Sequence, residues 1–165
     1  MDKEEFLKAL HQLKKQLNLD YSYLIISDGS GTIGKTPCGF TSLIHDNIFN
    51  DIEEVSGSIS NGTNMFAELM PFVTALWRLF DRNHIVSGES IVCVSDSEVT
   101  VKCGNKEYSR NNPLWGAIEK FEEKGVRIKW YWIARNSNPV HKYCDDRSRK
   151  LRKNMEEFLN GKDKS

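Results

Sequence analysis

The sequence carries no net charge, because 23 Lys and Arg stand against 23 Asp and Glu. That balance excludes a strongly basic chain that coats nucleic acid without specificity. It leaves room for an enzyme with a local basic patch, since patches steer ligands more than totals do. No apolar run approaches the roughly 20 residues that span a bilayer. The opening residues Met1-Asp2-Lys3-Glu4-Glu5 are charged where a secretory leader would be apolar. The expectation is therefore a cytoplasmic protein with no membrane contact. Cysteine is sparse, and Cys38, Cys93, Cys103 and Cys144 include no C-x-x-C pair and no histidine at zinc-finger spacing. Reduced, packed thiols are expected rather than a zinc site. Repeats and low-complexity segments are missing too, and nothing points to an obligate protein partner. What remains is a globular composition, 165 residues with 39% hydrophobic and 28% charged. It suits one domain of ordinary size and rules out a disordered or collagen-like chain.

The chain opens with an amphipathic helix over about Lys3–Leu17, where Phe6, Leu10, Leu13 and Leu17 recur at helical steps. Tyr23–Ile26 reads as a buried strand running into Asp28, followed by a loop over Gly29–Pro37. Gly39–His45 and Ile52–Ile59 read as two further strands, and short connections suggest an antiparallel meander. Gly62-Thr63-Asn64 starts a helix that reaches Phe80, with Pro71 expected to kink it or force a late start. Ser90–Val94 is another buried strand. Val99–Tyr108 admits a small hairpin or a short helix. Asn112-Pro113 opens a helix to Lys124, closed by Gly125, before a strand over Val126–Ile133. Asn138-Pro139 starts a last helix to about Leu159. The expected fold class is α/β: a mixed five-stranded sheet, three antiparallel strands and then βαβ units, flanked by helices. Residues 1–20 form an N-terminal helical extension that covers a sheet face or contacts a partner. Residues 21–160 form the main domain, and 161–165 a tail.

Four acids sit where ionised groups need a partner. Asp28 follows the central strand, Asp96 ends a buried run, Glu68 lies between Phe66 and Leu69, and Asp145 follows Cys144 in the last helix. Each has a plain reading alone, as turn, cap, helix rim or helix-dipole residue. If all four converge on one end of the sheet they repel, and bound dications relieve that repulsion. Only the dications make such a cluster tolerable, and a lysine or arginine filling the gap between the acids would overturn the enzymatic reading. Hard cations such as Mg²⁺ prefer carboxylate oxygen and bind phosphates. Two of them about 4 Å apart clamp an in-line phosphoryl displacement.

At these positions the sequence resembles the ribonuclease H family, from about Tyr23 to Leu151. Ile26-Ser27-Asp28-Gly29-Ser30 resembles the first-strand motif, and Thr63-Asn64-Met65-Phe66-Ala67-Glu68-Leu69 resembles T-N-x-x-A-E-L. Ser95-Asp96-Ser97 is similar to T-D-S, and Cys144-Asp145 to the C-D of the final helix; Trp115 matches an L-W motif. The resemblance implies a ribonuclease-H-like domain that cleaves the RNA strand of RNA–DNA hybrids, leaving 5′-phosphate and 3′-hydroxyl ends. It implies two Mg²⁺ ions, with Mn²⁺ as substitute, held by Asp28, Glu68, Asp96 and Asp145 as catalytic carboxylates. Asp28 would bridge the ions, Glu68 and Asp96 would hold one, and Asp145 the other. Gly29, Ser30, Asn64 and Ser97 would meet the substrate, near the 2′-hydroxyl that separates RNA from DNA.

The sequence also departs from the family. The loop Ala134–Asn138 lacks the family's Gly-His pair, which assists product release. Asn136 in that loop and His141, one turn before Asp145, are the accessory candidates, with a surface histidine the alternative for His141. Met65 replaces a common second Asn, and Glu98 adds an acid that would disfavour a phosphate. No Lys/Trp-rich insertion follows the fourth strand, where Lys102, Lys106 and Arg110 lie instead. Lys142, Arg147, Arg149, Lys150, Arg152 and Lys153 offer a basic face for a phosphate backbone, or a solvated helix face. Trp130 and Trp132 share one sheet face and are expected in the core rather than as stacking platforms. Two other functions fit the same residues: a DNA-directed nuclease or resolvase, and a non-catalytic nucleic-acid-binding domain.

Overall fold

The computed structural model describes residues 2–163 apart from 33, 35 and 82–86. Helix α1 (Lys3–Gln16) starts where the Asp2 side chain accepts the Glu5 N–H. Strands β1 (Tyr23–Ser30), β2 (Thr36–Asp46) and β3 (Asp51–Gly62) follow. Then come α2 (Asn64–Asp81), β4 (Ser90–Ser95), α3 (Glu98–Gly104), α4 (Trp115–Glu123), β5 (Arg127–Trp132) and α5 (Pro139–Asp163). The sheet order is β3-β2-β1-β4-β5. β2 pairs antiparallel with β1 and β3, while β4 pairs parallel with β1 and β5. This is the mixed five-stranded sheet that the alternation of elements predicts.

Helices cover both faces of the sheet. On one side Phe72 and Leu76 of α2 and Ile118 of α4 pack against Ile25, Ile91 and Trp130. On the other, Leu10 and Leu13 of α1 and Cys144 of α5 pack against Leu24, Ile26, Leu43 and Val94. The N-terminal helix is thus part of the second core, as its apolar stripe requires. Asn138 joins it to α5: its Nδ2 donates to the Ala9 carbonyl while its Oδ1 caps the Val140 N–H. All four cysteines are free and buried, in line with packed thiols. Among the described residues no helix is long and apolar enough to cross a membrane.

Several boundaries differ from the sequence reading. β1 runs to Ser30, so Gly29 and Ser30 are strand rather than loop. Pro37 lies within β2, at a register shift between Thr36 and Cys38, where a missing N–H breaks no ladder bond. α2 passes through Pro71 without ending or starting late. Val99–Tyr108 contains a helix, α3, because Ser97 Oγ accepts the Thr100 N–H and Glu98 pairs with Lys102 across one turn at 3.1 Å. α4 begins two residues after Pro113, since Asn112 and Pro113 form a preceding turn in which Asn112 Oδ1 accepts the Leu114 N–H. α5 continues to Asp163, past the expected end at Leu159.

Candidate functional site

The parallel pairing of β1 with β4 sets the site. Ile26 stands opposite Val94. Continued two residues, that register puts Asp28 of β1 beside Asp96, which lies just beyond the end of β4. α2 then comes down on β1 at Gly29. A Cβ on Gly29 would fall onto the Ala67 carbonyl oxygen, so only glycine permits the approach that brings Glu68, the next residue, to Asp28. Pro71 contributes here: lacking an N–H, it leaves that same carbonyl without its i+4 donor. On the opposite face α5 crosses β2 at Gly39, whose absent Cβ makes room for the Ser148 carbonyl. Ser148 Oγ donates to the Asp28 carbonyl at 2.9 Å, and Cys144 Sγ to that of Ile26 at 3.7 Å. These bonds fix Asp145 over the end of β1.

Asp28, Glu68, Asp96 and Asp145 all line one cleft of about 370 Å³, together with Gly29, Ser30 and Asn64. Burial, then the charges of Asp96 and Glu68 and a hydrogen bond with Asp145, raise the Asp28 pKa to about 9. Burial and the Asp96 charge raise Glu68 to about 8. Burial works against Asp145 too, but hydrogen bonds from Arg149 and Asp28 and the nearby Arg135 charge outweigh it and hold that carboxyl at about 2. The pair thus pushes Asp28 toward its neutral form and Asp145 toward its ionised one.

Arg149 forms an ion pair with Asp145 Oδ2, and Arg135 lies 3.3 Å from its Oδ1. The expectation that dications alone relieve the repulsion is corrected by these contacts. Two arginines face Asp145, while burial beside other acids pushes Asp28 and Glu68 toward the neutral form. Arg135 and Arg149 are 61% and 43% exposed, so neither is locked into the gap. The sequence reading passed over Arg135, although it is the only charged side chain in Ala134–Asn138.

The remaining expected residues fall differently. Ser97 Oγ is engaged as the N-cap of α3, accepting from Thr100. Asn64 is exposed at the start of α2, its Oδ1 accepting the Met65 N–H. Asn136 adopts a positive φ of 57° and donates its N–H to His141 Nδ1 at 3.3 Å. His141 is fully buried, which corrects the surface-histidine reading. Glu98 is exposed and paired with Lys102 rather than placed in the cleft. The basic residues of α5 divide: Arg149 and Arg152 line the cleft, while Arg147 turns to Glu54 at 3.6 Å. Trp130 is in the core as expected, but Trp132 is half exposed, its indole N–H donating to the Asp96 carbonyl at 2.9 Å.

No protein-family model matches the sequence, and no curated protein matches it. Solved structures do. The N-terminal RNase H domain of a Mycobacterium tuberculosis protein superposes with a TM-score of 0.70 at 16% identity, covering 85% of this chain and 99% of that one. LC11-RNase H1, crystallised with an RNA/DNA hybrid, gives 0.68 at 21% identity, covering 83% of this chain and 99% of that one. RNase H1 from the archaeon Halobacterium salinarum gives 0.61 at 18% identity, with 78% and 96% covered. At these identities the likeness is one of architecture, and the chain has the ribonuclease H fold.

Proposed function

We propose that the protein is a metal-dependent endonuclease that hydrolyses the RNA strand of an RNA–DNA hybrid. The convergence of four acids, from β1, α2, the end of β4 and α5, on one open cleft carries this reading. Their chemistry fits a hard dication: all are oxygen donors, and Asp28 and Glu68 are pushed toward protonation when only protein surrounds them. Asp28, Glu68, Asp96 and Asp145 would hold two Mg²⁺ ions, or Mn²⁺, with Asp28 shared, Glu68 and Asp96 on one side and Asp145 on the other. Bound there, the ions would lower the pKa of an attacking water and stabilise the departing 3′ oxygen, giving 5′-phosphate and 3′-hydroxyl products.

The chain's own residues supply the rest. Arg149 and Arg152 make the α5 wall of the cleft positive, suited to a phosphate. Backbone at Gly29 and Ser30 and the exposed Asn64 also line the cleft and would offer polar groups to a ribose 2′-hydroxyl, which distinguishes RNA. The hybrid bound to LC11-RNase H1 supports this substrate class. The arginine contacts on Asp145 favour a second reading, a non-catalytic nucleic-acid-binding domain, because an acid already paired needs no cation.

Labelled hybrid, duplex DNA, duplex RNA and single strands, each with Mg²⁺ or Mn²⁺, separate these. We expect cleavage of the RNA strand in the hybrid, reduced more than about 100-fold by Asp96→Asn, beyond what loss of an outer-shell partner produces. Cleavage of duplex DNA alone would select a DNA-directed nuclease. Binding without cleavage under either metal would select the non-catalytic domain.

A further inference from the structure

His141 is fully buried near the start of α5, and its two ring nitrogens meet different surroundings. Nδ1 accepts the Asn136 N–H at 3.3 Å. A backbone amide can only donate, so Nδ1 carries no proton and the neutral ring keeps its proton on Nε2. Nε2 has no hydrogen-bond partner among the described residues and lies 3.5 Å from Asp96 Oδ2. The loop is built to present this amide: Asn136 takes a left-handed φ of 57°, a conformation asparagine tolerates. Ser137 Oγ closes the turn by donating to the Ala134 carbonyl at 2.6 Å.

Ligand atoms of His141, Asp28 and Asp96 all fall within 4.8 Å of one another, a spacing that three ligands of one cation would also show. The tautomer argues against that role, because the proton on Nε2 occupies the lone pair a cation would need. A buried N–H with no other partner among the described residues needs an acceptor, and the Asp96 carboxylate is the one that it faces. We propose that His141 is a positioning residue for Asp96. Its Nε2–H, aimed by the Asn136 backbone, holds Asp96 Oδ2 and leaves the other carboxylate oxygen to a cation. The proposal rests on the reading of Asp96 as a cation ligand and adds the group that sets that ligand's orientation. Such outer partners tune metal affinity without touching the ion.

Long-range ¹H–¹⁵N spectra of protein labelled in histidine read the tautomer in the wild-type chain, without metal or substrate. A protonated Nε2 and a bare Nδ1 are expected at His141, and the opposite tautomer overturns the proposal. Calorimetric titration with Mg²⁺ and Mn²⁺ then compares His141→Asn with His141→Gln. Asparagine places an acceptor near the Nδ1 position but is too short to reach Asp96. Glutamine carries its amide N–H out toward the Nε2 position. Cation affinity should fall about tenfold in the asparagine variant and largely return in the glutamine variant, the lower end of the range for an outer partner. An asparagine variant that binds like wild type, or a glutamine variant as weak as asparagine, overturns this inference alone. Wild-type protein that binds neither cation overturns the nuclease reading along with it. Should both variants unfold, the wild-type tautomer still decides.

Discussion

Gly29 is chosen by what it lacks. A methyl group there would collide with the Ala67 backbone carbonyl, which cannot swing aside as a side chain can. Gly29→Ala therefore pushes α2 off β1 and carries Glu68 away from Asp28. Overpacking of this kind costs roughly 1–3 kcal/mol, so urea unfolding should show a lower midpoint with an unchanged slope. Gly116→Ala is the control, because nothing lies within 4 Å of a Cβ built there. If the two variants unfold at the same urea concentration, close approach of α2 to β1 is not what Gly29 provides. His141 makes the same point about residue identity from the opposite direction, since what matters there is which nitrogen holds the proton.

Helices α3 and α4 depend on one another through Arg110, in the segment that joins them. Its side chain is only 8% exposed. Nε and Nη2 donate to the Cys103 and Gly104 carbonyls, satisfying the end of α3, while Nη1 and Nη2 both reach Glu122 of α4. The guanidinium also stacks on Trp115, 4.8 Å from the ring centroid. Arg110→Ala leaves Glu122 without that partner and the Gly104 carbonyl without that donor, and should cost about 2–4 kcal/mol by chemical denaturation. Arg110→Lys should recover little, since a point charge cannot reproduce the fork. From sequence, Arg110 is merely a cation in an insertion-free segment, because its partners lie on either side of two turns. Elements with a strong apolar pattern were legible: β4 and the apolar stripes of α1 and α2 stand where that pattern puts them, while β1 continues past its apolar run to Ser30. The short helix α3 was ambiguous because Val99, Val101 and Cys103 alternate like a strand, and the Ser97 cap decided it. The four acids were legible through their positions against the apolar pattern and through the resemblance. The arginines on Asp145 were not, because charge pairing between the loop and α5 leaves no periodic trace.

Across the whole molecule, stability and the acidic cleft are linked through protons. Asp28 and Glu68 have pKa values of about 9 and about 8 in the folded chain, against about 4 when unfolded. Between those limits the folded protein binds more protons than the unfolded chain, so this contribution is fully present below about pH 4 and is lost as pH rises toward 8–9. Asp145 runs the other way. Its carboxyl is held at about 2, so its contribution is present above about pH 4 and lost only in strong acid. Metal-free protein should therefore weaken from pH 6 to pH 8, losing up to roughly 1.4 kcal/mol per pH unit for each of the two protons. Asp28→Asn should flatten that slope and unfold at higher urea concentration than wild type at pH 8, since a neutral amide removes the repulsion. A dication that binds the folded cleft supplies the missing counter-charge, and its stabilisation grows with the logarithm of its concentration. Urea titrations at pH 6, 7 and 8, with chelator and with Mg²⁺, should then show two diverging lines. Stability falls with pH in chelator and holds level in Mg²⁺. Parallel lines would mean that the cation acts elsewhere than on these acids. An Asp28→Asn variant with the wild-type slope would mean that Asp28 ionises normally in the folded chain.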